Sequence, residues 1–175
     1  MTASDLPPLE RLEALEQIRT LKARYCRFID TKQWQALRGL FSSGARFEGF
    51  GSAPDGSDAD AFVAGVSSRL AQAVSTHHCH TPEIVLLTPT RARGVWAMQD
   101  HLQWPHAIVL RELPDATGFV GSGHYEEEYV REEGQWKMAF LRLSRLRIDP
   151  LPAGTAFPAG GAGRAPDARW LDPAS

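Results

Sequence analysis

The chain has 175 residues, enough for one domain that buries roughly 70% of the surface of its extended form. Its 19 Lys and Arg residues nearly balance its 21 Asp and Glu residues, and no basic run is dense enough to follow phosphates, so nucleic acid is not expected as a partner. No apolar stretch reaches the ~20 residues of a membrane span, and the first residues lack a signal-peptide pattern, so we expect a cytoplasmic protein without membrane contact.

The first part of the chain predicts helices. Apolar residues recur every three or four positions over residues 12–29, the spacing of an amphipathic helix. A second, shorter helix is predicted over residues 30–41, where Asp30 begins a pattern that resembles a capping box. A segment rich in Gly, Asp, Ser and Pro at 49–60 predicts a loop, and apolar spacing over residues 62–74 predicts a third helix.

The second part of the chain predicts an antiparallel sheet. Runs rich in β-forming residues, separated by turn residues, occur at 83–88, 91–100, 106–113, 118–132 and 135–149. Helices followed by a long sheet predict one α+β domain over residues 1–149. Residues 150–175 are too rich in Pro, Gly and Ala to continue the sheet, and we expect an extended or disordered tail there.

Two cysteines, Cys26 and Cys79, are too few for a disulfide framework, and the cytosol would keep them reduced. Cys79 follows His78 directly, so on a strand the two side chains face opposite ways. This arrangement argues against a Cys–His nucleophile.

Five segments, taken in order, carry a resemblance to a known family: "RYCRFIDTKQWQALRGLF", "STHHCHTPEI", "GVWAMQD", "GSGHYEEEYVREEGQWKM" and "RLSRLRID". Over about residues 10–149 the chain resembles the SnoaL-like group of the nuclear transport factor 2-like superfamily. That group includes scytalone dehydratase, bile-acid 7α-dehydratase and hexachlorocyclohexane dehydrochlorinase. The resemblance implies a cone-shaped α+β barrel, with helices packed on a strongly curved, mainly antiparallel sheet. It also implies a hydrophobic or aromatic small-molecule substrate, no cofactor, and a homo-oligomer of two or three copies.

The resemblance assigns the chemistry to His78, Asp30 and Tyr25. Asp30 and His78 match the family positions at which a carboxylate holds a histidine base. Such a carboxylate fixes the imidazole tautomer and raises the basicity of the other nitrogen, so His78 would remove a C–H proton. Tyr25 would protonate a leaving hydroxyl or hold a developing oxyanion. The residues alone leave simpler roles open: Asp30 as a helix cap, Tyr25 as a core residue and His78 as a structural histidine.

Six further residues are candidates for substrate binding: Asp100, His124, Arg142, Arg145, Trp96 and His101. Asp100 matches an active-site aspartate of bile-acid dehydratase, and an inward-pointing His101 would match the second histidine of scytalone dehydratase. Related enzymes place an arginine on the last strand, near the leaving group or a substrate anion. The alternatives for these residues are turn chemistry, the protein surface, the solvated face of a strand and, for the tryptophan, the core.

The four residues "HHCH" at 77–80 raise the alternative of a metal site. Their side chains alternate on a strand, so His78 and His80 would need a third ligand from elsewhere, either His124 or Asp100. Because the matched dehydratases work without metal, no metal is expected.

The predicted function is therefore a cofactor-independent lyase that carries out dehydration or a related β-elimination on a ring-containing hydrophobic molecule. Isomerisation, polyketide cyclisation and release of formaldehyde are alternatives for the same catalytic groups. A non-catalytic small subunit of a ring-hydroxylating dioxygenase is the alternative outside catalysis. A histidine–aspartate pair buried in a cavity would favour the enzyme, and a filled cavity would favour the subunit.

Overall fold

The computed structural model describes residues 6–110, 113–158 and 170–171. In chain order, these ranges contain the elements α1 Pro8–Asp30, α2 Trp34–Arg38, β1 Phe41–Glu48, α3 Ala59–Leu70, β2 Val74–Thr88, β3 Arg91–Leu110, β4 Leu113–Glu132 and β5 Gln135–Leu151. Helices pack against one face of a five-stranded sheet, which confirms the α+β class.

Helix α1 follows the predicted apolar stripe and buries Ile18, Leu21, Tyr25 and Ile29 against the sheet. Asp30 is its last residue and does not cap the next helix, because α2 begins after Gln33 without a side-chain cap. The capping-box prediction is therefore wrong, and the Asp30 carboxylate is left free to reach β2.

Strand β1 occupies a part of the chain for which no strand was predicted. Its sequence "FSSGARFE" has no β-branched residue, so its local strand preference is weak. Tertiary contacts compensate, because Phe47 stacks on Phe62 of α3 with ring centroids 3.9 Å apart and Phe41 meets the Phe47 ring edge-on.

The strands are ordered β1-β5-β4-β3-β2, with β1 parallel to β5 and the other pairs antiparallel. Over the described residues the sheet is mixed and does not close into a barrel. The runs predicted at 91–100 and 106–113 meet in one long strand, β3, which ends at Leu110. Strand β2 begins at Val74 and thus contains the whole histidine cluster.

The β4–β5 hairpin agrees with the sequence. Its turn residues Glu133 and Gly134 have φ angles of 50° and 79°, as a two-residue turn between twisted strands requires. The inner face of β4 carries Tyr125, Glu127 and Tyr129, all at most 2% exposed.

A polar network lies beneath this inner face. Lys22 of α1 pairs with Glu127 of β4, and both side chains are at most 1% exposed. The second Glu127 oxygen accepts a hydrogen bond from the Tyr129 hydroxyl, which accepts one from the Trp96 indole at 2.8 Å. The Lys22 ammonium also lies over the Tyr125 ring, 3.6 Å from its centroid.

Beyond β5, residues 152–158 form neither helix nor strand. The side chain of Gln103 donates hydrogen bonds to the backbone carbonyls of Thr155 and Ala156, at 3.3 and 3.0 Å. The rest of the predicted tail, residues 159–169 and 172–175, lies outside the described residues. No helix within the described ranges is long and apolar enough to span a membrane.

Candidate active site

A cavity of about 280 Å³ lies between the helices and the inner face of the sheet. One part of its wall is apolar, formed by residues such as Ile29, Phe62, Val66, Leu102, Phe119 and Leu143. The polar part of the wall contains Tyr25, His77, Asp100, Tyr125 and Arg145. A mostly apolar pocket with a few convergent polar groups is typical of a small-molecule site.

Asp30 and His77 form a hydrogen-bonded pair at the edge of this cavity. The His77 ring nitrogen Nδ1 lies 2.6 Å from Asp30 Oδ1, and the His77 backbone N–H donates to Oδ2 at 2.8 Å. Ser75 Oγ donates to Oδ1 at 2.9 Å, and Lys32 Nζ donates to that hydroxyl at 3.0 Å. The carboxylate is thus fixed from several directions, which holds the imidazole in one orientation.

The hydrogen-bond pattern also assigns the tautomer of His77. An ionised carboxylate can only accept, so Nδ1 carries the proton and Nε2 keeps a free lone pair. With its side chain only 7% exposed, His77 lines the cavity. An imidazole held in this way has the arrangement of a general base.

The structure makes this contact with His77 instead of the expected His78. Residues Ser75, His77 and Cys79 turn toward α1, whereas His78 and His80 lie on the exposed side of β2. His78 and His80 stack on each other there, with centroids 6.1 Å apart. Alternation along the strand was expected, but the side that faces the helix depends on how α1 docks.

Asp100 and Arg145 form a second charged pair in the cavity wall. Asp100 is the cross-strand neighbour of His77 and is 2% exposed. Arg145 reaches it with two parallel hydrogen bonds, at 2.6 and 2.5 Å. Burial acts to lower the pKa of Arg145, but the hydrogen bonds and charge of Asp100 outweigh it, so the pKa is raised and the guanidinium stays charged. Both residues line the cavity, and their predicted role in substrate binding stays a prediction.

Two phenols complete the polar wall. Tyr25 and Tyr125 are 1% and 2% exposed and meet edge-to-face, with ring centroids 5.9 Å apart. Burial raises the pKa of each phenol well above its usual value, so both remain protonated donors at neutral pH. A buried, protonated phenol suits an oxygen that gains negative charge, because it can donate a hydrogen bond to that oxygen.

Four predicted substrate-binding residues lie outside the cavity wall. His101 is exposed, and His124 lies on the outer face of β4, because each neighbours an inward-facing residue on its strand. Arg142 is also on the outer face, where it pairs with Glu126 at 2.5 Å. Trp96 points inward but is a core residue that bonds to Tyr129.

Three residues at this site were not predicted from the sequence. His77 and Tyr125 were hidden by the unknown side of their strands, although Tyr125 alternates with polar neighbours. Gly121 is the third: a side chain there would collide with the guanidinium of Arg145 and the carboxylate of Asp100. Among the residues that the structure describes, no group of three or more His, Cys, Asp and Glu side chains is arranged to hold a metal ion.

The chain is similar in sequence to a known domain family and to a curated protein. The model of the SnoaL-like domain matches residues 10–142. "Probable cyclase FGR4" of Gibberella zeae is 26% identical over 146 residues, which cover 77% of this chain and 92% of that protein.

Solved structures share the fold at lower identity. A hexachlorocyclohexane dehydrochlorinase (LinA) of type 2 superposes with a TM-score of 0.69 at 18% identity, covering 88% of this chain and 99% of that one. A scytalone dehydratase-like protein from Novosphingobium aromaticivorans superposes with a TM-score of 0.66, also at 18% identity, covering 85% and 98%. At such identities the likeness shows the fold alone.

Proposed function

Because the chain belongs to the SnoaL-like family, we propose that it is a lyase that removes a C–H proton with His77 and expels a leaving group without a cofactor. The observation that carries this proposal is the 2.6 Å contact between His77 Nδ1 and Asp30 at the edge of a cavity. It leaves Nε2 available as the base.

The other polar groups suit the charge that such a step creates. Loss of a proton beside a carbonyl moves negative charge onto the carbonyl oxygen, where Tyr25 and Tyr125 can donate hydrogen bonds. Arg145 donates two hydrogen bonds to Asp100, and its other N–H groups can donate to the leaving group or to a second oxygen.

Cavity size narrows the substrate class. At about 280 Å³ the cavity is just below the roughly 300–1,000 Å³ range of ligand pockets. One- or two-ring β-hydroxy carbonyl compounds therefore fit better than a steroid. The aromatic side chains Phe62 and Phe119 would pack against the ring.

Cyclisation is the second candidate, because the curated relative from Gibberella zeae is named as a cyclase. An aldol-type ring closure begins with the same proton removal and differs in what the carbanion attacks. A cavity that contains an oriented base favours either reaction over a non-catalytic subunit role.

The test compares His77→Ala with His78→Ala on a panel of one- and two-ring β-hydroxy carbonyl compounds. Turnover is measured together with exchange of the activated hydrogen for solvent deuterium. The exchange measures proton removal by the base, which is common to elimination and cyclisation. His77→Ala should lower both by ~10²–10⁴-fold, the usual worth of a positioned base. His78→Ala should retain near-normal values, because its side chain lies on the outer face of β2.

Asp30→Asn tests the partner of the base. Asn keeps the shape of Asp but can stabilise the wrong tautomer of His77, so the loss of turnover in Asp30→Asn should approach the loss in His77→Ala. The two losses should be far from additive in the double variant. Near-normal turnover of His77→Ala on an active substrate would show that the proposed base is wrong.

A further inference from the structure

Cys26 and Cys79 lie far apart in sequence and close together in the fold. Their sulfur atoms are 3.5 Å apart, although 53 positions separate the two residues in the chain. Cys26 belongs to α1 and Cys79 to β2, and both are half-buried. No role in the proposed reaction uses either thiol.

From this geometry we propose that Cys26 and Cys79 are an oxidation site at which a hydroperoxide converts the two thiols into a disulfide. The sulfur atoms need to approach by only about 1.5 Å to reach bonding distance, a displacement that rotations of the two side chains can supply. The proposal goes beyond the proposed function and does not depend on it.

The surroundings assign different roles to the two sulfurs. Either thiol can donate the hydrogen bond between the two sulfurs; with Cys26 as the donor, the pKa of Cys26 is raised and the pKa of Cys79 is lowered. The nearby Lys22 ammonium also favours the thiolate at both sulfurs. In that arrangement Cys79 is the nucleophile and Cys26 the resolving thiol.

The chemistry balances with one hydroperoxide molecule. The Cys79 thiolate attacks a peroxide oxygen, so that an S–O bond forms, the O–O bond breaks and hydroxide or alkoxide leaves. The Cys26 sulfur then attacks the Cys79 sulfenic acid; the S–S bond forms, the S–O bond breaks, and water departs with the Cys26 proton. The thiols are oxidised and the peroxide is reduced.

The position of the disulfide gives the oxidation a structural consequence. Cys26 precedes Asp30 by one helical turn, and Cys79 follows His77 by two residues on the same side of β2. The covalent link would therefore tie α1 to β2 beside the contact between the carboxylate and the imidazole. Because the disulfide closes a long loop, it should also reduce the conformational entropy of the unfolded chain and so stabilise the fold.

The test exploits the count of cysteines, since these two are the only ones in the chain. Purified protein is treated with a small excess of hydrogen peroxide, and free thiols, intact mass and melting temperature are measured. Both thiols should disappear with a loss of two hydrogen atoms, the chain should stay monomeric on a non-reducing gel, and the melting temperature should rise by roughly 5–15 °C. Dithiothreitol should reverse every change.

Single variants separate the two roles. Cys26→Ser should accumulate a sulfenic acid on Cys79 that dimedone traps, whereas Cys79→Ser should react much more slowly. The melting temperature of neither variant should rise after treatment with hydrogen peroxide. Thiols that persist, disulfides between chains, or equal dimedone labelling of both variants would overturn the proposal. None of these readouts needs a substrate, so they are independent of the lyase test.

Discussion

Gly121 shows how the absence of one side chain shapes the site. It lies on β4 opposite Asp100 of β3, and the Arg145 side chain crosses above it from β5 to reach that aspartate. A β-carbon at this point would overlap both charged groups. Glycine is needed here because it leaves room for the ion pair, and the position does not depend on the backbone freedom of glycine.

Gly121→Ala should consequently separate Asp100 from Arg145. The flexible arginine moves more easily than the strand, which leaves a buried carboxylate poorly satisfied, so we expect a loss of about 1–3 kcal/mol in the free energy of unfolding. Turnover per bound substrate should fall roughly tenfold or more because the polar wall is displaced. Urea denaturation and steady-state kinetics measure the two effects.

Gly44→Ala is the matched control, since a β-carbon there meets nothing within 4 Å. It should leave stability and turnover almost unchanged. Equal effects of the two substitutions would contradict the crowding argument.

At the scale of elements, the sequence predicted how each segment is built better than how the segments meet. The apolar stripe of α1 and the turn at Glu133 and Gly134 depend on neighbours in sequence, and both were predicted correctly. Strand β1 was missed because its pairing with β5 and its packing on α3 outweigh weak local preference. His77 was missed because the resemblance pointed to its neighbour His78, and alternation along a strand separates odd from even positions without identifying the inner side.

The clearest link between elements is the buried pair of Lys22 on α1 and Glu127 on β4. Lys22→Met alone leaves the carboxylate buried without its cation, and we expect a loss of about 3–5 kcal/mol in the free energy of unfolding. Adding Glu127→Gln removes the stranded charge and keeps an acceptor for Tyr129, so the double variant should recover much of this loss.

Chemical denaturation of the single and double variants provides the measurement. Arg38→Met, which breaks the exposed pair between Arg38 and Asp60, is the control and should change stability little. A double variant less stable than Lys22→Met would show that the pair is not the cause.

At the scale of the whole molecule, one interior contains every tyrosine of the chain, namely Tyr25, Tyr125 and Tyr129. Burial raises the pKa of all three phenols well above 10.0. The folded state therefore keeps three protons that the unfolded state releases above about pH 10. Stability is complete below that pH and is lost as pH rises toward the folded-state pKa values.

Above pH 10, three such groups should lower the free energy of unfolding by about 4 kcal/mol per pH unit. Tyrosinate absorbance in the near-ultraviolet should remain absent while the protein is folded and then appear in a single step with loss of circular dichroism. Tyr129→Phe should reduce the slope by about a third. Gradual titration of phenols in the folded protein would contradict the predicted burial.

The parallel pairing of β1 with β5 has a consequence for synthesis on the ribosome. Strand β1 is made early, but within the described part of the chain its neighbour in the sheet is β5, which is made much later. Gly49, just after β1, lies so close to the Leu143 carbonyl of β5 that a side chain would not fit. The part of the cavity wall formed by Gly49 and Phe50 must therefore wait until β5 has left the ribosomal tunnel. Until then Phe41 and Phe47 have no complete sheet to cover, so the nascent chain exposes aromatic surface that is prone to aggregation.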